Sequence, residues 1–182
     1  MGFRQAAVLS SVCFFLGVLF ICLNVDYRLL FDLNQQAVED GFQFYTTFYN
    51  APPAIKAMLF GIGGVGLIGL LSKVLQWDES AMFFDGSSLA AYMFSIALYF
   101  TVTIPSAQTI VDPLPDVDTR EDQIDAMRVL SASNTIAMVL LGGILALQAG
   151  QEYARRIERR EMTKLAEMEK KEGSTLETKK DQ

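Results

Sequence analysis

Three groups of residues in this 182-residue chain have types and spacings that could do chemistry. The first is Gly61-Ile62-Gly63-Gly64-Val65-Gly66, which fits the pattern G-x-G-x-x-G. That pattern holds a pyrophosphate only where a strand turns into a helix, so that helix-end amides meet the anion. Here it lies between Met58-Leu59-Phe60 and Leu67-Ile68, inside an apolar run, and reads instead as close helix packing through small residues. The second group is acidic: Asp112, Asp116, Asp118, Glu121, Asp122 and Asp125. A calcium loop needs acids at alternate positions, then a glycine and a distant Glu. Asp116 and Asp118 begin that pattern, but no glycine follows, which leaves a solvated acidic loop. The third group is Cys13 and Cys22. Nine residues apart on a helix they point to opposite faces, so they read as packing thiols rather than a bridge.

The remaining chemistry is scarce. There is no histidine, which removes the commonest general base and metal ligand. No G-x-S-x-G elbow or metal-spaced cysteine pair is present, so no catalytic, metal or cofactor site is expected. The net charge of −6 divides unevenly, with 13 acids and six basic residues before Gln151 and eight acids and nine basic residues after it. A basic stripe for nucleic acid is absent.

The elements that would position these residues are apolar blocks. Hydrophobic residues make up 51% of the chain and gather in four stretches, which indicates an all-α membrane protein with four transmembrane helices. The spans are placed at about 6–23, 54–75, 87–104 and 129–150. The first follows Arg4 but lacks a small-x-small cleavage site, so it reads as an uncleaved span rather than a signal peptide. Pro52-Pro53 opens the second, and Pro105 is expected to end the third. None of the spans is expected to bury an acid or a base, as a proton relay or ion pathway would require. Residues 1–153 thus form a membrane domain and 154–182 a charged tail, helical to Lys171 and broken at Gly173-Ser174-Thr175.

Small residues on the spans mark contact faces. Gly63, Gly66 and Gly69 recur every three residues, while Ser87, Ala91 and Ser95, like Gly142, Ala146 and Gly150, recur every four. Each set lets another helix backbone approach closely, and the last is expected to close the bundle. Asn134 is the deepest of the polar residues Ser131, Ser133 and Asn134 at the entry of the fourth span. Its amide needs a partner in lipid, either another helix of the chain or a bound protein. The first connection carries Val38, Phe42, Tyr45 and Tyr49 at helical spacing, as a helix at the membrane surface or a contact patch would.

Four spans put both termini on one side. Arg4, Lys73, Arg155, Arg156, Arg159, Arg160 and Lys164 lie on that side, against Arg28, Lys56, Arg120 and Arg128 on the other. Positive charge marks the cytosolic face, so the termini are expected there and the first and third connections in the lumen. Lys179 and Lys180 then stand fourth and third from a cytosolic end, as in a dilysine retrieval signal of the endoplasmic reticulum.

Four stretches together resemble a known family. They are Asp26-Tyr27-Arg28-Leu29-Leu30-Phe31, Phe44-Tyr45-Thr46-Thr47-Phe48-Tyr49, Gly66-Leu67-Ile68-Gly69, and the last span from Ala132-Ser133-Asn134 to Leu147-Gln148. In this order, over roughly residues 10–155, the chain is similar to the fungal endoplasmic-reticulum packaging chaperones for amino-acid permeases. The resemblance implies a membrane domain that shields newly inserted permeases from aggregation and a tail that assists their packaging with vesicle-coat components. Ser131, Ser133, Asn134, Tyr45 and Tyr49 are the expected client contacts. The other reading of the same residues is a stable, non-catalytic subunit of a resident membrane complex.

Overall fold

The computed structural model describes residues 2–75 and 79–180, with side chains described for all of these except 79–81 and 169–180. Every regular element among them is helical. In chain order they are α1 (Phe3–Phe31), α2 (Gln35–Tyr49), α3 (Pro53–Val74), α4 (Glu79–Leu98), α5 (Ile104–Val111) and α6 (Arg120–Lys180). Among the described residues, four stretches are long and apolar enough to cross a membrane: Phe3–Phe31, Pro53–Val74, Met82–Val111 and Arg120–Met168.

Local chemistry sets the helix starts. Asn34 caps α2 by accepting from the Ala37 N–H at 2.8 Å. Pro53 stands in the first turn of α3, where its missing N–H costs nothing. Thr119 and Asp122 form a reciprocal cap at the head of α6: the Thr119 N–H donates to Asp122 Oδ2 at 2.8 Å, and the Asp122 N–H to Thr119 Oγ1 at 3.2 Å. In the preceding turn the Leu114 N–H donates to Asp118 Oδ2 at 2.7 Å, and Asp116 takes a φ of 63° that aspartate tolerates. Three of the acids expected in a solvated loop, Asp116, Asp118 and Asp122, therefore shape the backbone.

The helical run through Pro105 departs from the sequence reading. Proline lacks an N–H and its ring crowds the carbonyl four residues back. The chain absorbs this in a π-turn, Tyr99–Thr103, where the Ile104 N–H reaches back to the Tyr99 carbonyl. The helix then continues as α5, so the third span extends to Val111 instead of stopping at Pro105. Likewise α6 runs unbroken through Gly173-Ser174-Thr175 to Lys180. At about 1.5 Å per residue its 61 residues extend roughly 90 Å, far longer than a bilayer is thick.

The spans form a ring in which α1 and α4 each pack against both α3 and α6. One apolar cluster, Val8, Val12, Leu70, Tyr92, Leu141 and Ile144, fills the half nearer the N-terminus of α1. A second, Leu29, Val38, Tyr45, Ile110, Met127 and Leu130, fills the other half and fastens α2 to the bundle. Two glycines of α3 lie against α1 too closely to admit a side chain. A Cβ at Gly69 would lie 2.9 Å from Val8 Cγ2, and one at Gly66 would lie 2.8 Å from Ser11 Cβ. At Gly63 the same atom would meet Phe15 at an ordinary 3.7 Å. On α4, Ala91 packs on the first cluster and Ser95 is half-buried, but Ser87 is exposed. The buried face of that helix is Asp85, Ser88 and Tyr92.

The stripe on α6 turns the other way. Gly142 and Ala146 are exposed, and a Cβ on Gly142 would have nothing within 4 Å. Only Gly150 meets a neighbour, with Phe84 at 3.3 Å. The bundle is closed instead by Leu141, Ile144 and Gln148, the opposite side of the same helix. Gly66→Val should therefore lower stability by about 1–3 kcal/mol through overpacking. Gly142→Ala should be neutral or raise it by up to about 1 kcal/mol through helix propensity. Thermal unfolding of the two variants in detergent checks the contrast.

Candidate functional site

Helix ends and small residues bring polar side chains together at three depths in the bundle. Midway, Ser11 Oγ donates to the Ile62 carbonyl at 2.9 Å and Tyr92 Oη to the Gly63 carbonyl at 3.0 Å, with the two hydroxyls 3.1 Å apart. The glycines of α3 leave these carbonyls uncovered, so α1, α3 and α4 are pinned at one point.

Nearer the tail lies a charged cluster. Lys73 of α3 pairs with Asp85 of α4 at 2.6 Å, their side chains 6% and 1% exposed. Lys73 Nζ also donates to Gln151 Oε1 at 2.8 Å and to Gln148 Oε1. Gln148 Nε2 donates to Asp85 Oδ1 and Ser88 Oγ, each at 3.1 Å, and Gln151 Nε2 to Asp85 Oδ2 at 2.7 Å. All three ammonium protons have acceptors, and both carboxylate oxygens have donors. The expectation that no acid or base is buried in the spans is thus corrected. Lys73 and Asp85 sit near span ends, where sequence alone reads them as connection residues, but each has its opposite charge on the neighbouring helix.

The third cluster lies at the other end, among α1, α2 and α6. Tyr45 Oη donates to Asp26 Oδ1, and Asn134 Nδ2 donates to Asp26 Oδ2 at 3.1 Å and to Tyr45 Oη at 3.4 Å. Asp26 is 1% exposed. Ser131, fully buried, lies beside Asp26 and Tyr45. Ser133 shares a 3.1 Å hydrogen bond with Thr103 of the π-turn. Tyr49 stands apart, half-buried, with Lys56 Nζ 5.3 Å from its ring centre.

Of the five residues expected to meet a client, Tyr45, Ser131, Ser133 and Asn134 are therefore buried against their own chain. The structure joins Tyr45 to Asn134 through Asp26, a residue the reading of single positions passed over. No group of three or more His, Cys, Asp or Glu able to hold a metal stands among the described residues. What α6 presents outward is Ile136, Val139, Gly142, Gly143, Ala146 and Ala149, an apolar face whose centre is small residues.

The bundle thus joins its helices through buried polar clusters and leaves a small-residue face of α6 exposed. The family described as SHR3 chaperone, ER membrane protein SH3, matches residues 1–182. The chain belongs to that family. No curated protein matches it, and no solved structure does. The family makes the protein an endoplasmic-reticulum membrane chaperone, in agreement with the resemblance read from the four stretches. The buried clusters of this chain join α1, α2, α3, α4 and α6.

Removing one partner of the charged cluster should leave the other unpaired in a low-dielectric interior. Lys73→Met is expected to cost about 3–5 kcal/mol, and Lys73→Met with Asp85→Leu to recover most of that loss. A double-mutant cycle followed by thermal unfolding in detergent measures the difference.

Proposed function

We propose that this chaperone shields newly inserted amino-acid permeases from aggregation and assists their packaging into transport vesicles. The observation that carries the reading is the outward face of α6, where Gly142 and Gly143 have open space above them. Without a hydrophobic drive between helices in lipid, close backbone approach over small residues is a main source of attraction. An unassembled permease helix exposes faces of the same kind, so the two match through shape and van der Waals contact. Ser131, Ser133, Asn134 and Tyr45 serve a client indirectly, by holding α6 in the position that presents this face.

The same reading places both termini in the cytosol, supported by the bias of Lys and Arg toward that side. The largely exposed helical stretch from Tyr153 to Met168 then projects from the membrane toward vesicle-coat components. Lys179 and Lys180, whose side chains lie outside those described, act as the retrieval signal. A stable subunit of a resident complex would keep fixed stoichiometry, whereas a chaperone is caught with young clients only.

Pulse-labelling followed by mild-detergent capture tests the first part. Wild-type protein should bind permeases in the first minutes after synthesis and release them on chase. Gly142→Leu with Ala146→Leu should fold normally but retain several-fold less labelled permease, which then aggregates. Unchanged capture would remove the α6 face from the argument, and constant stoichiometry through the chase would favour the subunit reading. For the address, Lys179→Ser with Lys180→Ser should move the protein out of the reticulum by fractionation, and unchanged residence would sink the retrieval signal.

A further inference from the structure

The outward side of α1 carries an amide that the rest of the chain does not meet. Asn24 is exposed there, and among the described residues its side chain makes a single hydrogen bond, a 3.5 Å contact to the Ile21 carbonyl of its own turn. Arg4 and Arg28 lie about 36 Å apart along α1, so a hydrocarbon core of about 30 Å centred between them covers Asn24. An amide at that depth is costly until another membrane helix meets it. Around it lies an open notch of about 200 Å³, lined by Phe20, Leu23, Asn24 and Tyr27. Its two aromatic rims, Phe20 and Tyr27, are 67% and 59% exposed.

We propose that α1 pairs with α1 of a second copy of this chain, parallel and in register, with Asn24 at the centre of the contact. The four residues of the notch stand at i, i+3, i+4 and i+7, the set that forms a hole for one side chain of a facing helix in a coiled coil. In a parallel, in-register pair the hole around a seam residue receives the same residue of the facing helix, so this notch takes the second copy's Asn24. An amide both donates and accepts, and two of them related by a two-fold axis satisfy each other. A second copy crosses the membrane with the same topology, which brings its amide to the same depth. One Asn in an otherwise apolar seam also fixes register. The exposed seam continues through Ser10, Cys13 and Gly17 in alternating steps of three and four, and a Cβ on Gly17 would have nothing within 4 Å. It shares no residue with the outward face of α6.

Cys13 lies on the seam and is exposed, whereas Cys22 is buried, so the chain's own thiols report the pairing. The full chain in its native membranes is oxidised with copper phenanthroline, and the products are separated by mass without reductant. A disulfide-linked pair of this chain should form, persist in Cys22→Ser and disappear in Cys13→Ser. Asn24→Leu removes no contact with another helix of its own chain, so it should lower the yield several-fold while leaving the helical circular dichroism unchanged. Chance encounter is measured with Val139→Cys in a Cys13→Ser chain, which places the thiol on the outward face of α6 and should give several-fold less product. Equal yields from the two thiol positions overturn the pairing. So do an absent product, a yield indifferent to Asn24→Leu, and linkage of Cys13 to other proteins in place of a second copy.

Discussion

Lipid cannot accept or donate a hydrogen bond, and this fold is arranged around that fact. Each polar group carried into the hydrocarbon must be met inside the chain, at a cost of several kcal/mol where it is not. The bundle meets this demand by gathering polar side chains at three depths, with Asp26 at one end, Ser11 and Tyr92 midway, and Lys73 with Asp85 at the other. Along α6 the end clusters are separated by the 14 residues from Asn134 to Gln148, about 20 Å of helix. Between and around them the packing is apolar.

The clusters also decide which helices are joined. In the ring of spans, α3 and α6 lie across from each other, each packed against α1 and α4. Lys73 spans that diagonal by reaching both Gln148 and Gln151 while pairing with Asp85. At the opposite end Asp26 ties α1 to α2 and α6. Apolar packing alone is tolerant of sliding, since one aliphatic surface resembles another. Hydrogen bonds with fixed donors and acceptors are not, so register is set at the ends and volume is filled between them.

The spans and the α3 glycine stripe were legible because both are local properties. A run of apolar residues crosses lipid whatever it packs against, and Gly66 and Gly69 are small in any context. The buried charges were not legible, because Lys73, Asp85 and Asp26 sit at span ends, where a charge is unremarkable unless its partner is known. That partner comes from another helix 12 or more residues away, which periodicity cannot report. The α6 stripe shows a different limit. Small residues mark close approach but carry no sign for which side the neighbour takes, so Gly142 and Ala146 read as interior although Leu141 and Ile144 are the buried pair. Pro105 failed for a third reason: a π-turn is set by local hydrogen-bond geometry that the proline itself does not specify.

The separation of strong contacts from weak ones bears on how a chaperone could release what it holds. Ion pairs and charge-assisted hydrogen bonds inside the bundle are fully used, so they offer a client nothing to compete for. The face left outside has almost no hydrogen-bonding capacity. Contact there is limited to dispersion between closely approaching backbones, about 0.1–0.2 kcal/mol per atom pair, and grows only with the length of helix engaged. On the proposed reading, a client helix with free small-residue faces would lie along α6, and one that has found its own partners would lose those faces and the contact with them. Release would then follow from completed folding of the client, without an input of energy from the chaperone.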